Sequence, residues 1–300
     1  MITSQSNPRI RNVVNLRKKA KERSAQDVFL VEGIRMFREI PKQLVKEVYV
    51  SEHFLAREEN RRENERALRA AGVPFEIVSD AVFEKMADTK TPQGVIAVVG
   101  QLHYSFEDLL ENGERKGRDQ SDGTAWLASP GYREERGQGK TGRMEASAPL
   151  LLILENLQDP GNLGTILRSS EGAGVTGILL SSDCVDLYSP KVIRSTMGSA
   201  FRVPFLYTDD LHGRIRQMKE KGVRLYAAHL KGTKQYTQPD YTGPCGFLIG
   251  NEGNGLTDAT AALADDYIRI PMQGRVESLN ASVAASLLAY EALRQRMLLH

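Results

Sequence analysis

The chain has little of what would tie it to a metal, a disulfide framework or a membrane. Its two cysteines, Cys184 and Cys245, stand alone and far apart. Such a pair makes neither a zinc site nor a disulfide framework, so two reduced, buried thiols in a cytoplasmic protein are expected. No apolar run approaches the roughly 18 residues of a membrane helix. The longest candidate is PLLLIL, residues 149–154. The opening MITSQSNPRIRN lacks the apolar stretch of a secretory signal, and none is expected. An excess of charge of one sign is also lacking overall, with a net charge of +2. It is unevenly spread: residues 1–46 hold eleven bases and four acids, a local +7 that leaves −5 for the rest. A basic segment on a near-neutral body suggests a polyanionic partner such as nucleic acid, against the plainer reading of a solvated helix face.

Glycine, by contrast, is plentiful, and 172–177 reads GAGVTG, a letter match to the dinucleotide-binding spacing. That fingerprint needs a strand before the glycines and a helix after them. Here TILRSSE before them reads as helix and GILL after them as strand, so the glycines close a helix and turn into a strand. No acidic residue stands near the expected distance, around Val192. A dinucleotide site is therefore not expected here.

The chain reads as two α/β domains. Over 1–105, a basic helix (9–23) precedes strands at 27–33, 44–51, 74–79 and 94–100, with helices at 58–72 and 80–87. From 106 to 148 the chain is rich in glycine, serine and charge without periodicity, and reads as a mobile linker. The lone tryptophan, Trp126, could dock locally within it. From 149 to 300 strands and helices alternate, which predicts a mainly parallel sheet with its ligands beyond the carboxyl ends of the strands. The strands are expected at 150–155, 177–182, 202–207, 223–230, 246–251 and 267–272, and a long helix ends the chain.

Three segments fall at strand ends. LENLQDPGNLGTILRSSEGAG leaves an apolar strand and enters a helix, placing Asn162 where free backbone N–H groups point outward and Arg168 further along that helix. FLIGNEGNGL runs a strand into three glycines around Glu252, which implies backbone bent tightly or close to a ligand. IRIPMQGRVESLNASVAASLLAYEAL ends a strand and opens the last helix, with Ser278 as the expected N-cap and Asn280 in its first turn. A lone helix arginine is otherwise a surface charge, and the glycine loop otherwise a polar turn.

Together these segments closely resemble the three motifs of the SpoU (TrmH-like) family of RNA ribose 2′-O-methyltransferases, in the SPOUT superfamily. NLGTILRSSEGAGV is similar to the first, LIGNEGNGL to the second and IPMQGRVESLNASVAASLLAYE to the third. FLVEGIRMFREI and TPQGVIAVV resemble parts of that family's L30e-like substrate-binding domain, while 111–148 departs from its usual short linker. The resemblance implies a C-terminal SPOUT domain tied in a deep trefoil knot, a homodimer through that domain, and S-adenosyl-L-methionine as methyl donor. It places the cofactor against Ala228, Leu230, Gly250, Ile270 and Leu279. It gives Asn162, Arg168, Glu252, Ser278 and Asn280 the catalytic and substrate-positioning roles and favours Arg168 for drawing off the hydroxyl proton; an arginine serves more simply as a clamp on the RNA phosphate, with Glu252 orienting Asn162 or Arg168.

The expected reaction is methylation of a ribose 2′-hydroxyl in structured RNA, ribosomal RNA before tRNA. A non-catalytic RNA-binding or ribosome-associated factor is the alternative from another class, and the intact second and third motifs argue against it. The NLGTILR arginine and the SLNASVA pattern favour ribose over base-nitrogen methylation. A Rossmann methyltransferase is disfavoured, because no glycine-rich loop follows the first strand of the catalytic half. His103 and His229 receive no role.

Overall fold

The computed structural model describes residues 1–56, 68, 72, 74–110 and 148–299. The helix expected over 58–72 lies almost wholly outside the described residues, as do Trp126 and the segment 111–147. The described chain falls into two compact units. Tyr188–Phe201, from the C-terminal half of the sequence, groups with Met1–Leu102 in the first.

In the first unit, Asn7 begins the helix Pro8–Lys18: its side chain accepts from the Arg9 N–H at 2.9 Å. Pro8 sits in the first turn, where its missing N–H costs nothing. Ile10, Val13 and Leu16, spaced at three residues, bury one face. The single basic helix expected over 9–23 is two helices, because the backbone is extended at Lys19. The second, Ala20–Gln26, stops at Asp27, which takes a left-handed conformation (φ 52°). Four strands follow, β1 (Val28–Glu32), β2 (Val45–Ser51), β3 (Phe75–Val78) and β4 (Val95–Gly100), in the order β1-β4-β2-β3. Every residue of β4 is buried, and it pairs antiparallel with β1 and β2. Ile10, Val13 and Leu16 share a core with Val82, Phe83 and Met86 of the helix Asp80–Met86. The Tyr188 hydroxyl donates to the Leu102 carbonyl and accepts from its N–H, both at 2.8 Å. Its ring lies 4.7 Å from that of Phe29.

Three of the bases behind the local positive charge serve the fold. Arg9 pairs with Glu76 at 2.8 Å and Glu47 at 3.4 Å. Arg17 donates to the carbonyls of Lys85 and Ala87. Arg23, only 4% exposed, donates to the Leu16 carbonyl at 2.7 Å. Charge counting could not see these uses.

The second unit is built on a seven-stranded, wholly parallel sheet. Its strands are β5 (Leu150–Leu154), β6 (Gly177–Ser181), β7 (Phe205–Thr208), β8 (Arg224–Ala228), β9 (Lys234–Gln235), β10 (Cys245–Ile249) and β11 (Asp266–Arg269). The order is β7-β6-β5-β10-β8-β11-β9. β5 and β10 are buried at every residue, as central parallel strands covered on both faces should be. Each such Leu or Ile contributes about 1.5–3 kcal/mol of burial. β9 was not expected; two polar residues carry no strand pattern. It is joined to β8 by residues 229–233, yet β11 lies between the two.

The stretch expected as linker begins with a helix, Phe106–Leu110, whose Phe106 and Leu109 enter the core of this unit. Gly177 packs so close that a Cβ there would meet the Leu109 Cβ at 2.5 Å. The GAGVTG glycines do close a helix, Pro160–Ala173, with Gly174 left-handed at φ +73°. Gly172 admits the last helix, Ala281–Met297: a Cβ at Gly172 would stand 2.5 Å from the Tyr290 hydroxyl. Cys184 and Cys245 are free and buried, and burial pushes the Cys245 thiol up to about 11. Among the described residues no helix is long and apolar enough to cross a membrane.

Candidate active site

The chain leaves β5 toward β6 on one side of the sheet, and leaves β10 toward β11 on the other. β5 and β10 are neighbours, so the sheet has its topological switch point between them. A crevice opens at the carboxyl ends of strands at such a point, and ligands bind there in open α/β sheets. The residues just beyond β5 and β10 meet across it.

Glu252, in the loop after β10, accepts three hydrogen bonds from the segment after β5. Asn162 Nδ2 donates at 2.9 Å, the Asp159 N–H at 3.0 Å and the Gln158 N–H at 3.2 Å. Asp159 caps the helix Pro160–Ala173 by accepting from the Asn162 N–H at 2.8 Å, which fixes Asn162 in the first turn. The other end of the Asn162 amide is held by Asn280, whose Nδ2 donates to Asn162 Oδ1 at 2.9 Å. Residues from all three sequence segments thus form one chain, Glu252–Asn162–Asn280. Desolvation works to raise the Glu252 pKa. The hydrogen bonds from Asn162 and from backbone N–H groups outweigh it and hold the carboxyl below its ordinary value. Ionised and already accepting three bonds, Glu252 orients Asn162 and is a poor proton acceptor.

The expected cap of the last helix needs correction. The helix starts at Ala281, and Asn280 is its N-cap, accepting from the N–H groups of Ser282 at 2.9 Å and Val283 at 3.4 Å. Ser278 lies further out, exposed, with no hydrogen bond among the described residues. Both Ser and Asn are good caps, so the pattern SLN left the choice open. Asn280 wins because one amide satisfies the helix with its oxygen and Asn162 with its nitrogen. Arg168 is exposed on its helix and has no hydrogen bond or ion pair among the described residues. The structure thus unites Asn162, Glu252 and Asn280, and leaves Arg168 and Ser278 outside that network.

The expected cofactor residues gather at neighbouring strand ends. The register aligns Ile153 of β5, Leu248 of β10, Ala227 of β8 and Tyr267 of β11 in one row. Ala228, Gly250 and Ile270 lie just past that row, and Leu279 adjoins Asn280. A Cβ on Gly250 would sit 2.1 Å from the Gly255 carbonyl carbon and the Leu256 nitrogen. A Cβ on Gly232 would sit 2.6 Å from the Ile268 carbonyl carbon. Segments packed this closely, backbone against backbone, present main-chain groups and aliphatic side chains at their rim. Leu230 is left 66% exposed there. That lining suits a neutral adenine and its sugar, so the residues present fit S-adenosyl-L-methionine. Among the described residues no cluster could hold a metal ion.

One residue that sequence reasoning passed over is Glu155, read as the last residue of an apolar strand. Only 9% exposed, it accepts from the Thr257 N–H and hydroxyl, both at 2.8 Å, and from the Thr260 hydroxyl. It ties the far end of the Glu252 loop to β5. An acid closing the otherwise apolar LLLILE was the available signal. The His229 ring stacks on Tyr267 at 5.3 Å and accepts from the Lys231 N–H at 3.1 Å.

Both halves of the chain match known proteins. Residues 149–290 match the SpoU rRNA methylase family, and residues 7–97 match the MRM3-like substrate binding domain. An uncharacterised tRNA/rRNA methyltransferase of Synechocystis is 32% identical over 98% of this chain and 94% of its own. The 23S rRNA (guanosine(2553)-2′-O)-methyltransferase RlmP of Bacillus subtilis is 28% identical over 96% of this chain and 97% of its own. The AdoMet-bound rRNA methyltransferase of Sinorhizobium meliloti superposes with a TM-score of 0.75 at 26% identity, covering 98% of this chain and 97% of that one. With its three motif segments meeting at one switch point, this chain belongs to the SpoU rRNA methylase family.

Proposed function

We propose that this protein methylates a ribose 2′-hydroxyl of ribosomal RNA, using S-adenosyl-L-methionine. The observation that carries the reading is the Glu252–Asn162–Asn280 chain at the β5/β10 switch point. Two relatives that span most of the chain, RlmP of Bacillus subtilis and the Sinorhizobium meliloti enzyme, are named for rRNA, which favours rRNA over tRNA. When bound, the cofactor supplies a methyl group on a positively charged sulfur. The protein's part is to seat it against Ala228, Leu230, Gly250, Ile270 and Leu279 and to aim the hydroxyl. The 2′-hydroxyl oxygen would take that methyl group and give up its proton to solvent. Glu252, held ionised and fully engaged, is not its acceptor; it and Asn280 are positioning residues for Asn162. Arg168, exposed and without a hydrogen bond or ion pair among the described residues, serves as a clamp on the RNA phosphate beside the reacting ribose, with Ser278 as a further substrate-positioning group.

We further infer a cytoplasmic homodimer, since cellular rRNA is the substrate. Val283, Leu287 and Tyr290 of the last helix are 46%, 37% and 48% exposed. At spacings of four and three they share one face, an apolar stripe suited to a second copy. The deep knot is part of the same reading, and the short connection from β8 to β9 past the intervening β11 is compatible with it. Residues 1–105 form the substrate-binding domain of this reading and 149–300 the catalytic domain, with 106–148 between them, of which the helix Phe106–Leu110 packs into the catalytic core.

The test is incubation of total RNA with labelled S-adenosyl-L-methionine, followed by mapping of 2′-O-methyl sites. A single position in ribosomal RNA is expected. Arg168→Ala should lower methyl transfer about a thousandfold, the scale of losing one charge-stabilising donor, with cofactor binding within a few-fold of wild type. Normal turnover by that variant would remove Arg168 from the site.

A further inference from the structure

The N-terminal unit holds a groove of about 390 Å³ between its first helix and the helix Asp80–Met86. It is lined by Gln5, Ser6, Arg11, Val14, Asn15 and Lys85. The volume is that of a small-ligand site. Its chemistry is distinctive. Arg9 and Arg17 on the first helix and Arg23 on the helix Ala20–Gln26 are held by carboxylates or backbone carbonyls. Arg11 is exposed and has no ion pair or side-chain hydrogen bond among the described residues. Lys85 donates to the neutral Gln5 Oε1 at 3.1 Å, so its charge is not balanced there. Asn15, half-buried, has an amide with no partner among the described residues. Beyond the groove, Lys18, Lys19 and Lys21 continue as exposed bases without ion pairs among the described residues.

We propose that this groove holds one unpaired nucleotide of the RNA substrate. The proposal rests on the methyltransferase reading and deepens it, by naming where the substrate-binding unit grips. An unpaired amide offers both a donor and an acceptor, the match for a base edge. Two uncompensated cations beside it suit the phosphate, and the lysines beyond would carry the strand onward. Proteins read RNA sequence mostly in single-stranded segments, where the base edge is reachable. No aromatic side chain lines the groove, so the base is held by its edge and by contact with Val14 rather than by stacking.

The test measures full-length protein binding to deproteinised total ribosomal RNA across a salt series. Arg11→Glu should weaken binding at least tenfold and reduce the slope of log affinity against log salt by about one. Asn15→Ala should weaken binding roughly tenfold with the slope unchanged, because it removes an amide and no charge. Arg35→Glu, the same charge change outside the groove, should do less than Arg11→Glu. Cofactor affinity and thermal unfolding should match wild type in all three. Wild-type affinity for Asn15→Ala, or equal losses from Arg11→Glu and Arg35→Glu, would overturn the groove while leaving the methyltransferase reading intact, provided the wild type still methylates RNA. A wild type that neither binds nor methylates RNA would overturn both.

Discussion

Glu155 and Glu252 follow neighbouring parallel strands, β5 and β10, on the two sides of one switch point, yet their surroundings differ in kind. Glu155 is 9% exposed and accepts from two threonine hydroxyls and one N–H within a single loop-and-helix segment, Thr257 to Thr260. Glu252 is exposed and reaches across the crevice to two backbone N–H groups and the Asn162 amide. The first anchors the loop that carries the second. A buried carboxylate with every donor supplied by its own structure has nothing left for a substrate. A carboxylate at the rim, orienting an amide that is itself held at both ends, sets a group that substrate can meet. Exposure and the identity of the donor separate a stability role from a positioning one, although both residues are acids at strand ends.

Glu252→Gln tests the positioning half. The isosteric amide keeps the shape but loses the charge, and it brings its own NH₂ toward the N–H donors of Gln158 and Asp159. Turnover is expected to fall about a hundredfold, about 2.7 kcal/mol in the barrier, with KM for RNA changed much less than kcat. In the double-mutant cycle with Asn162→Ala the losses should fall well short of additive, since both remove one arrangement. Full additivity in measured kcat would mean that Glu252 acts on something other than Asn162.

Glu155→Gln probes the stability half, with a smaller effect of a different kind. One of its acceptors becomes a donor facing the Thr257 N–H or the threonine hydroxyls, leaving a buried group unsatisfied at a cost of about 1–3 kcal/mol. Thermal unfolding should shift down while kcat at permissive temperature stays within a few-fold of wild type. A large kcat loss with unchanged stability would erase the distinction between the two acids.

That distinction was only half legible in the sequence. The strands were, because apolar runs such as LLLIL and CGFLI admit few other readings once helices alternate with them. So was the direction of GAGVTG, because the order of elements around the glycines is a local property. Glu252, Asn162 and Asn280 were named, but that their side chains join end to end depends on the β5–β10 adjacency, which is long-range. The cap at Asn280 rather than Ser278 was settled by that same partner. Glu155 looked like a strand end, because its threonine donors lie about a hundred residues downstream. The uses of Arg9 and Arg17 were hidden for the same reason, since their partners lie 38 to 70 residues away; that of Arg23 was hidden because its partner Leu16, seven residues back, comes into reach only through the break at Lys19.

The smallest effect lies in the pH dependence. The Glu252 carboxyl is held below its ordinary value, which lies near 4.3. A group whose folded pKa is depressed contributes stability that is fully present above the unfolded value and is lost as pH falls through the folded one. The contribution should therefore be complete at pH 6–7 and fade below about pH 4. It is modest, because the group is exposed and screened. The readout is the difference in Tm between pH 6.5 and pH 3.5 for wild type and for Glu252→Gln. The variant has no carboxyl to titrate, so its drop should be smaller than that of wild type. A larger drop in the variant would mean that the hydrogen bonds from Asn162, Asp159 and Gln158 do not favour the ionised form, and the orienting role drawn from them would fall as well.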